Sequence, residues 1–213
     1  MSRVAFTRFL FPAFCCTFAA TCSLAAVAGE IDVENSKVYV FVPKRGAGHE
    51  HGVEGRLSAG ALQLGAAEQA GTMTFDLRSF DADTTAARRF LRLPGETDAD
   101  TAAKVNANMR GEAVLDTARH PTAEFQIVSA SALNEAADPL GTPYELNGVL
   151  TLHGVRKELR VRAFAQSVNG LTRVRGKFTL KQTNFGIVPF SKLLGAIGVG
   201  DELTVYGDLW IKP

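Results

Sequence analysis

Residues 145–181 read ELNGVLTLHGVRKELRVRAFAQSVNGLTRVRGKFTLK, and this stretch decides the fold class. Apolar and polar residues alternate in three runs, which His153-Gly154 and Asn169-Gly170 separate. A period of two is typical of strands that bury one face. Asn-Gly favours a two-residue hairpin turn because both residues tolerate positive φ. The stretch therefore predicts three consecutive antiparallel strands.

Similar segments lie on both sides of this stretch. Alternating or short apolar runs bounded by turn-forming residues indicate strands. These further segments are residues 38–42, 53–64, 73–77, 125–127 and 202–211. A helix is predicted over residues 98–109, because acidic residues stand in its first turn and Gly111 follows its end.

About eight antiparallel strands with one or two short helices make an all-β fold. Such strands hide their apolar faces either between two stacked sheets or inside a closed barrel. The number of strands does not choose between the two arrangements. An eight-stranded barrel is just wide enough to hold one small ligand.

The first 28 residues have the layout of a secretory signal peptide. Arg3 and Arg8 precede an apolar run over residues 9–20, and small residues end at Ala28. We expect cleavage after Ala28, so that residues 29–213 form one periplasmic or secreted domain. An uncleaved anchor and a lipoprotein cut before Cys22 are the alternatives.

Removal of that segment changes the chemistry of the chain. All three cysteines, Cys15, Cys16 and Cys22, lie within it, so the mature protein would have no thiol and no disulfide. The mature net charge would be about −1, which offers no general attraction for nucleic acid. No nucleophile elbow, phosphate loop or His-Glu-x-x-His motif is present. We therefore expect neither an enzyme nor a nucleic-acid-binding protein.

Three separated motifs stand out in the chain. They are Gly148–Lys157, which reads GVLTLHGVRK, His120–Phe125, and Asn184–Ile187 followed by Val199–Leu203. The first resembles the hairpin, the second the start of one strand, and the third the closing pattern of the YceI-like family of bacterial polyisoprenoid-binding proteins. Gln182-Thr183-Asn184 and the first hairpin depart from the family pattern, which indicates a divergent branch.

The resemblance implies a lipocalin-like antiparallel barrel in the periplasm or outside the cell. Its apolar interior would hold a polyprenyl lipid or an isoprenoid quinone, and no cofactor would be required. One alternative is a non-enzymatic barrel that acts in envelope stress without a ligand, and another is a metal-binding protein. A dimer is possible, although no interface is visible in the sequence.

The candidate ligand-binding residues are the inward-facing apolar positions of the predicted strands. A solidly packed core is the alternative interpretation of the same positions. They are Phe75, Phe125, Ile127, Leu150, Leu152, Leu159, Val161, Phe178, Leu180, Val205 and Leu209.

His49 and His51 are the candidate metal ligands. Residues two apart on a strand project from the same face, so the two imidazoles could share an ion. Glu54 and His120 are possible further ligands. Two hydrogen-bonded or solvated histidines are the alternative, and we expect His153 to hydrogen-bond its own turn.

Basic residues cluster on the outer face of the central hairpin, where Glu158 is the one acid among them. This face predicts transient contact with anionic membrane head groups, or else a solvated surface that resists edge pairing. The residues that alternation places there are Arg160, Arg162, Arg173, Arg175 and Lys177.

Overall fold

The computed structural model describes residues 29–136 and 138–213, and the predicted signal peptide lies outside them. Its main body consists of eight long strands: β1 (Lys37–Val42), β2 (His51–Leu62), β3 (Gly71–Ala82), β4 (Thr122–Ala132), β5 (Thr142–Leu152), β6 (Val155–Val168), β7 (Leu171–Lys181) and β8 (Glu202–Ile211). Each strand pairs antiparallel with the next, and β8 pairs with β1. The predicted eight-stranded antiparallel barrel is confirmed.

Two short hairpin turns hold β5, β6 and β7 in register. His153 and Gly154 have φ values of 51° and 75°, and Asn169 and Gly170 have 51° and 81°. Positive φ at both central residues matches the right-handed twist of the adjoining strands. Leu146 consequently lies opposite Val161, with both side chains buried.

The long connection between β3 and β4 contains two helices, α1 (Thr85–Leu91) and α2 (Ala99–Arg110). The Asp98 side chain accepts a hydrogen bond of 2.9 Å from the Thr101 backbone N–H, which caps α2. The predicted helix thus agrees with α2 to within one residue at each end. In the described part of the chain, no helix is long and apolar enough to cross a membrane.

One end of the barrel is closed by tightly packed side chains. The short strand Gly29–Glu30 pairs with the end of β2, and Ile31 pairs with Ile211 at the end of β8. Ile31 and Leu62 are almost completely buried there. At Gly148 a Cβ would lie 2.2 Å from the Gln126 carbonyl oxygen, so neighbouring backbones approach closely. This end of the barrel, the floor, is therefore packed with side chains and closely spaced backbone.

The opposite end is the mouth, where the β1–β2 loop, the helices and the β7–β8 connection lie. That connection has two single-turn 3₁₀ helices, Gln182–Phe185 and Leu193–Gly195. A small three-stranded sheet beside the mouth joins Lys44–Gly46, Ser191–Lys192 and Ile197–Val199. The mouth is thus built from irregular segments, in contrast to the regular barrel wall.

Candidate ligand-binding cavity

The barrel encloses an apolar cavity with a volume of about 260 Å³. All eight barrel strands contribute side chains to its wall, and α2 and the β7–β8 connection cover its mouth. Wall residues contributed by the strands include Val38, Val53, Met73, Phe75, Leu77, Phe125, Leu146, Leu150, Leu152, Leu159, Val161, Val174, Phe178, Leu180, Leu203, Val205 and Leu209. A hollow interior of this kind contradicts the alternative of a solidly packed core.

Ten of the eleven sequence-predicted ligand residues line this cavity. The exception is Ile127, which is 1% exposed and does not line it. Its Cα lies opposite Gly71 and Gly148, whereas Phe125, one step closer to the mouth, does line the cavity. Ile127 therefore belongs to the packed part of the core, and ligand contact by the other ten stays a prediction.

Three polar side chains interrupt the apolar lining: His51, Asn108 and Gln182. Their positions at the start of β2, in α2 and just after β7 place all three on segments of the mouth. The Gln182 side-chain amide donates to the Gly200 carbonyl at 2.9 Å, which fixes its orientation. Sequence reasoning missed Asn108 and Gln182, because neither lies in an alternating strand.

The closing motif forms part of the cover over the mouth. Phe185 and Ile187 are buried, and between them Gly186 adopts φ 73° to end the 3₁₀ turn. The Asp201 carboxylate accepts hydrogen bonds from the Thr183 N–H at 2.9 Å and from its hydroxyl at 2.7 Å. The residues of the closing motif therefore shape the mouth rather than the wall.

His49 and His51 lie together, with ring centroids 4.3 Å apart. His49 precedes β2, so the expected strand geometry is wrong although the two rings meet. Their ligand atoms lie within 4.8 Å of a carboxylate oxygen of Asp83. The pKa of His49 is lowered, first by partial loss of water and then by His51, which favours the neutral ring that a metal requires.

Asp83 already has partners of its own. Its carboxylate bonds His51 Nδ1 at 2.7 Å, Arg88 Nη1 at 2.9 Å and the Gly52 N–H at 3.2 Å. Burial raises the Asp83 pKa, but the bond to His51 and further hydrogen bonds outweigh burial and leave the pKa lowered. A metal bound through Asp83 would have to displace one of these contacts, so metal binding by His49 and His51 stays a prediction.

The other two histidines lie together elsewhere on the mouth. The ring centroids of His120 and His153 are 4.9 Å apart. The structure thus groups His120 with His153 rather than with the His49 pair. His153 Nδ1 lies 3.2 Å from the Phe185 carbonyl oxygen, so the ring bonds the β7–β8 connection instead of its own turn.

The basic hairpin face is less free than the sequence indicated, because acids from neighbouring segments reach it. Arg162 pairs with Glu135, and Arg173 pairs with Asp208 through two hydrogen bonds. Glu145 on β5 lies 3.7 Å from an Arg160 nitrogen. Period-two alternation shows which face a residue occupies but not which acids the adjacent strands bring to it.

An up-and-down barrel of eight antiparallel strands, with a packed floor and an apolar interior, defines the lipocalin-like class of ligand-binding barrels. Within that class the chain belongs to the YceI-like domain family, whose model matches residues 30–209. The family resemblance of the three motifs is therefore confirmed.

Solved structures that share this fold include the following two. BcnA of Burkholderia cenocepacia is 20% identical, with a TM-score of 0.57 over 84% of this chain and 98% of that one. A polyisoprenoid-binding domain from Saccharophagus degradans, implicated in plant cell wall breakdown, is 16% identical, with a TM-score of 0.58 over 87% and 98%. None of the curated proteins matches this chain significantly in sequence.

Proposed function

We propose that this chain is an exported, non-catalytic carrier that holds one isoprenoid-type lipid or quinone inside its barrel. The observation that carries the proposal is the apolar cavity, which all eight strands line and whose floor is closed. Family membership and the fold shared with the Saccharophagus degradans polyisoprenoid-binding domain support the choice of ligand class. The cavity also disfavours the envelope-stress barrel without a ligand.

The distribution of polar groups orients the ligand. An isoprenoid tail gains roughly 0.8 kcal/mol for each buried methylene, so the tail occupies the apolar interior. A phosphate or quinone head group needs hydrogen-bond partners, because a buried polar group without them is costly. His51, Asn108 and Gln182 offer such partners at the mouth. The head group therefore lies at the mouth and the tail points toward the floor.

The experiment is mass spectrometry of an organic extract of the protein purified from its native host. We expect about one isoprenoid lipid or quinone per chain. The test variant is Gly207→Leu, because a Cβ at Gly207 in the cavity wall would have the Leu209 Cγ, 3.9 Å away, as its nearest neighbour. The leucine side chain therefore enters the cavity and should reduce the recovered lipid at least tenfold.

Thr204→Leu is the matched control, because Thr204 alternates with cavity residues of the same strand. Its lipid content should equal that of the wild type. An extract without lipid, or equal lipid in the folded Gly207→Leu variant, would contradict the carrier. In the same preparation, an intact mass that begins at Gly29 would support export and cleavage after Ala28.

Contact with a membrane is the second part of the proposal, and we place it at the small sheet beside the mouth. Leu194 is fully exposed and Leu193 is 71% exposed. Both have positive φ, 51° for Leu193 and 55° for Leu194, a conformation that is costly for residues with a side chain. This backbone holds two leucines in the solvent, where they gain nothing from the protein itself.

Charge identifies an anionic bilayer as the occupant. The exposed basic residues Lys44, Arg45 and Lys192 belong to the same small sheet. Basic residues near an anionic surface contribute about 1 kcal/mol each, and inserted leucines add apolar burial. Phe190, which lines the cavity, lies under the Lys192 ammonium group at 5.4 Å. The surface is thus next to the path that a lipid would take into the barrel.

Flotation with phosphatidylglycerol–phosphatidylethanolamine vesicles tests this surface. Leu193→Ser combined with Leu194→Ser should reduce the bound fraction at least fivefold. Arg160→Gln combined with Arg162→Gln tests the basic hairpin, and Val128→Ser, another exposed apolar position, is the control. Loss of binding in the hairpin variant, with the leucine variant unaffected, would move the contact to the hairpin face.

A further inference from the structure

We infer that Asp116, His120 and His153 form a binding site for a divalent transition metal of the zinc class at the barrel mouth. Each residue offers one ligand atom, and the three atoms lie within 4.8 Å of one another. Two imidazole nitrogens and one carboxylate oxygen are a ligand set that zinc accepts, with the fourth position left for water. This inference is independent of the lipid ligand.

The local backbone brings Asp116 and His120 to the same side. Their segment forms a turn, in which the His120 N–H donates to the Asp116 carbonyl at 2.8 Å. This hydrogen bond closes the turn and holds the two residues close together. Asp116 adopts φ 43°, which an aspartate tolerates better than most residues, and it is 6% exposed.

The β5–β6 turn supplies the third ligand. His153 is the first residue of this turn, and its Nδ1 lies 3.2 Å from the Phe185 carbonyl oxygen. A carbonyl only accepts hydrogen bonds, so Nδ1 carries the proton and the Nε2 lone pair is free to bind a metal. Metal-binding histidines commonly have such a carbonyl partner behind the ring.

Glycine makes room for the second histidine. A Cβ on Gly154 would lie 3.1 Å from His120 Cε1, which is a tight contact. Gly154 also has φ 75°, as the turn requires. The absence of a side chain at Gly154 allows the His120 ring to lie over the hairpin and face His153.

The three side chains converge without bonding one another. In the described part of the chain, no hydrogen bond joins any two of them, although their ligand atoms are close. The Asp116 carboxylate is paired instead with Arg119 at 3.4 Å, and the Arg119 side chain is 69% exposed. Such an exposed arginine can turn away when an ion enters. In the cluster of His49 and His51, by contrast, the carboxylate is held by buried partners.

The location gives the ion a structural role. Asp116 directly follows Val114 and Leu115, which line the cavity, while His153 adjoins the β5–β6 hairpin and bonds the β7–β8 connection. An ion bound here ties together the segments that cover the mouth. Metal binding should therefore stabilise the folded protein as well as occupy the site.

Isothermal titration with zinc chloride tests the site, using untagged mature protein that has been treated with a chelator. The wild type should bind one ion, and its melting temperature should rise. His153→Asn removes the imidazole while keeping a residue that tolerates the positive φ of the turn. A variant that combines His153→Asn with His120→Gln and Asp116→Asn should bind zinc at least tenfold more weakly than the wild type. Zinc should no longer raise its melting temperature.

His49→Ala combined with His51→Ala is the comparison variant, because it removes the other candidate histidine pair, whose carboxylate Asp83 is already bonded. It should leave the ion at Asp116, His120 and His153 in place. Cobalt substitution provides a spectroscopic check, since a visible absorption band should appear in the wild type and disappear in His153→Asn. The inference is overturned if the wild type binds no zinc at micromolar concentrations. It is equally overturned if only the His49 and His51 variant loses the ion.

Discussion

Asp201 shows how one residue of the closing motif stabilises the mouth. Its two carboxylate oxygens accept from the backbone N–H and the hydroxyl of Thr183, and its own carbonyl accepts from the Gln182 N–H at 2.9 Å. Gln182 is one of the polar residues in the cavity lining, so Asp201 positions a side chain that a ligand head group would meet.

The Asp201 hydrogen bonds predict a pH dependence. The bonds from Thr183, first from its backbone N–H, hold the pKa of Asp201 below the usual 3.8. Because the folded pKa is depressed, this stabilisation is present above pH 3.8 and is lost as the pH falls through the folded pKa. Asp201→Asn should reduce the free energy of unfolding by roughly 1 kcal/mol at pH 7, a modest amount since the group is solvated.

Urea unfolding of both proteins between pH 2.5 and pH 7 measures this difference. The gap between wild type and variant should narrow below about pH 4, because the wild-type carboxylate then takes up a proton. Glu202→Gln, at the exposed neighbouring position, is the control and should show no such gap. A gap that stays constant over the whole range would show that the Asp201 charge does not contribute.

At the scale of elements, the strands with one buried face could be predicted from the sequence. Alternation located β5, β6, β7 and β8, and the dipeptides at the two turns fixed the antiparallel order of β5, β6 and β7. Two short helices agree with the expectation of one or two, but the position of α1 was not predicted, because its seven residues are too few to show a clear period. It packs outside β2, where Leu91 would contact a Cβ at Gly52.

The sequence predicted which face of the sheet the site residues occupy, but not how far along the barrel axis each of them lies. Phe125 and Ile127 have the same alternation, yet one lines the cavity and the other is packed near the floor. A period of two assigns a face of the sheet and carries no information on the position along the barrel axis. The cluster of Asp116, His120 and His153 likewise depends on a contact between separate segments, which no local pattern reveals.

At the scale of the whole molecule, all eight strands present apolar side chains to one cavity. An apolar ligand in contact with these side chains adds dispersion contacts, so the barrel with such a ligand bound is more stable than the barrel without it. The floor cannot adjust, since the side chains of Ile31 and Leu62 are already packed there. The barrel should therefore gain stability from any apolar chain that fits the interior.

A ligand that fills the cavity should raise the melting temperature. A ligand at 100 times its dissociation constant stabilises the folded state by about 2.7 kcal/mol. For a domain of this size that corresponds to roughly 5–10 °C. Delipidated protein titrated with geranylgeraniol should show such a shift in calorimetry, and the shift should rise with concentration.

The Gly207→Leu variant separates filling of the cavity from nonspecific detergent-like effects of the alcohol. Its leucine occupies part of the space next to Leu209, so geranylgeraniol should raise its melting temperature less than half as much as in the wild type. Thr204→Leu should respond as the wild type does, because its added side chain does not enter the cavity. If all three proteins shift equally, the alcohol acts on the outer surface, and the interior would have to be regarded as a packing defect rather than a binding site.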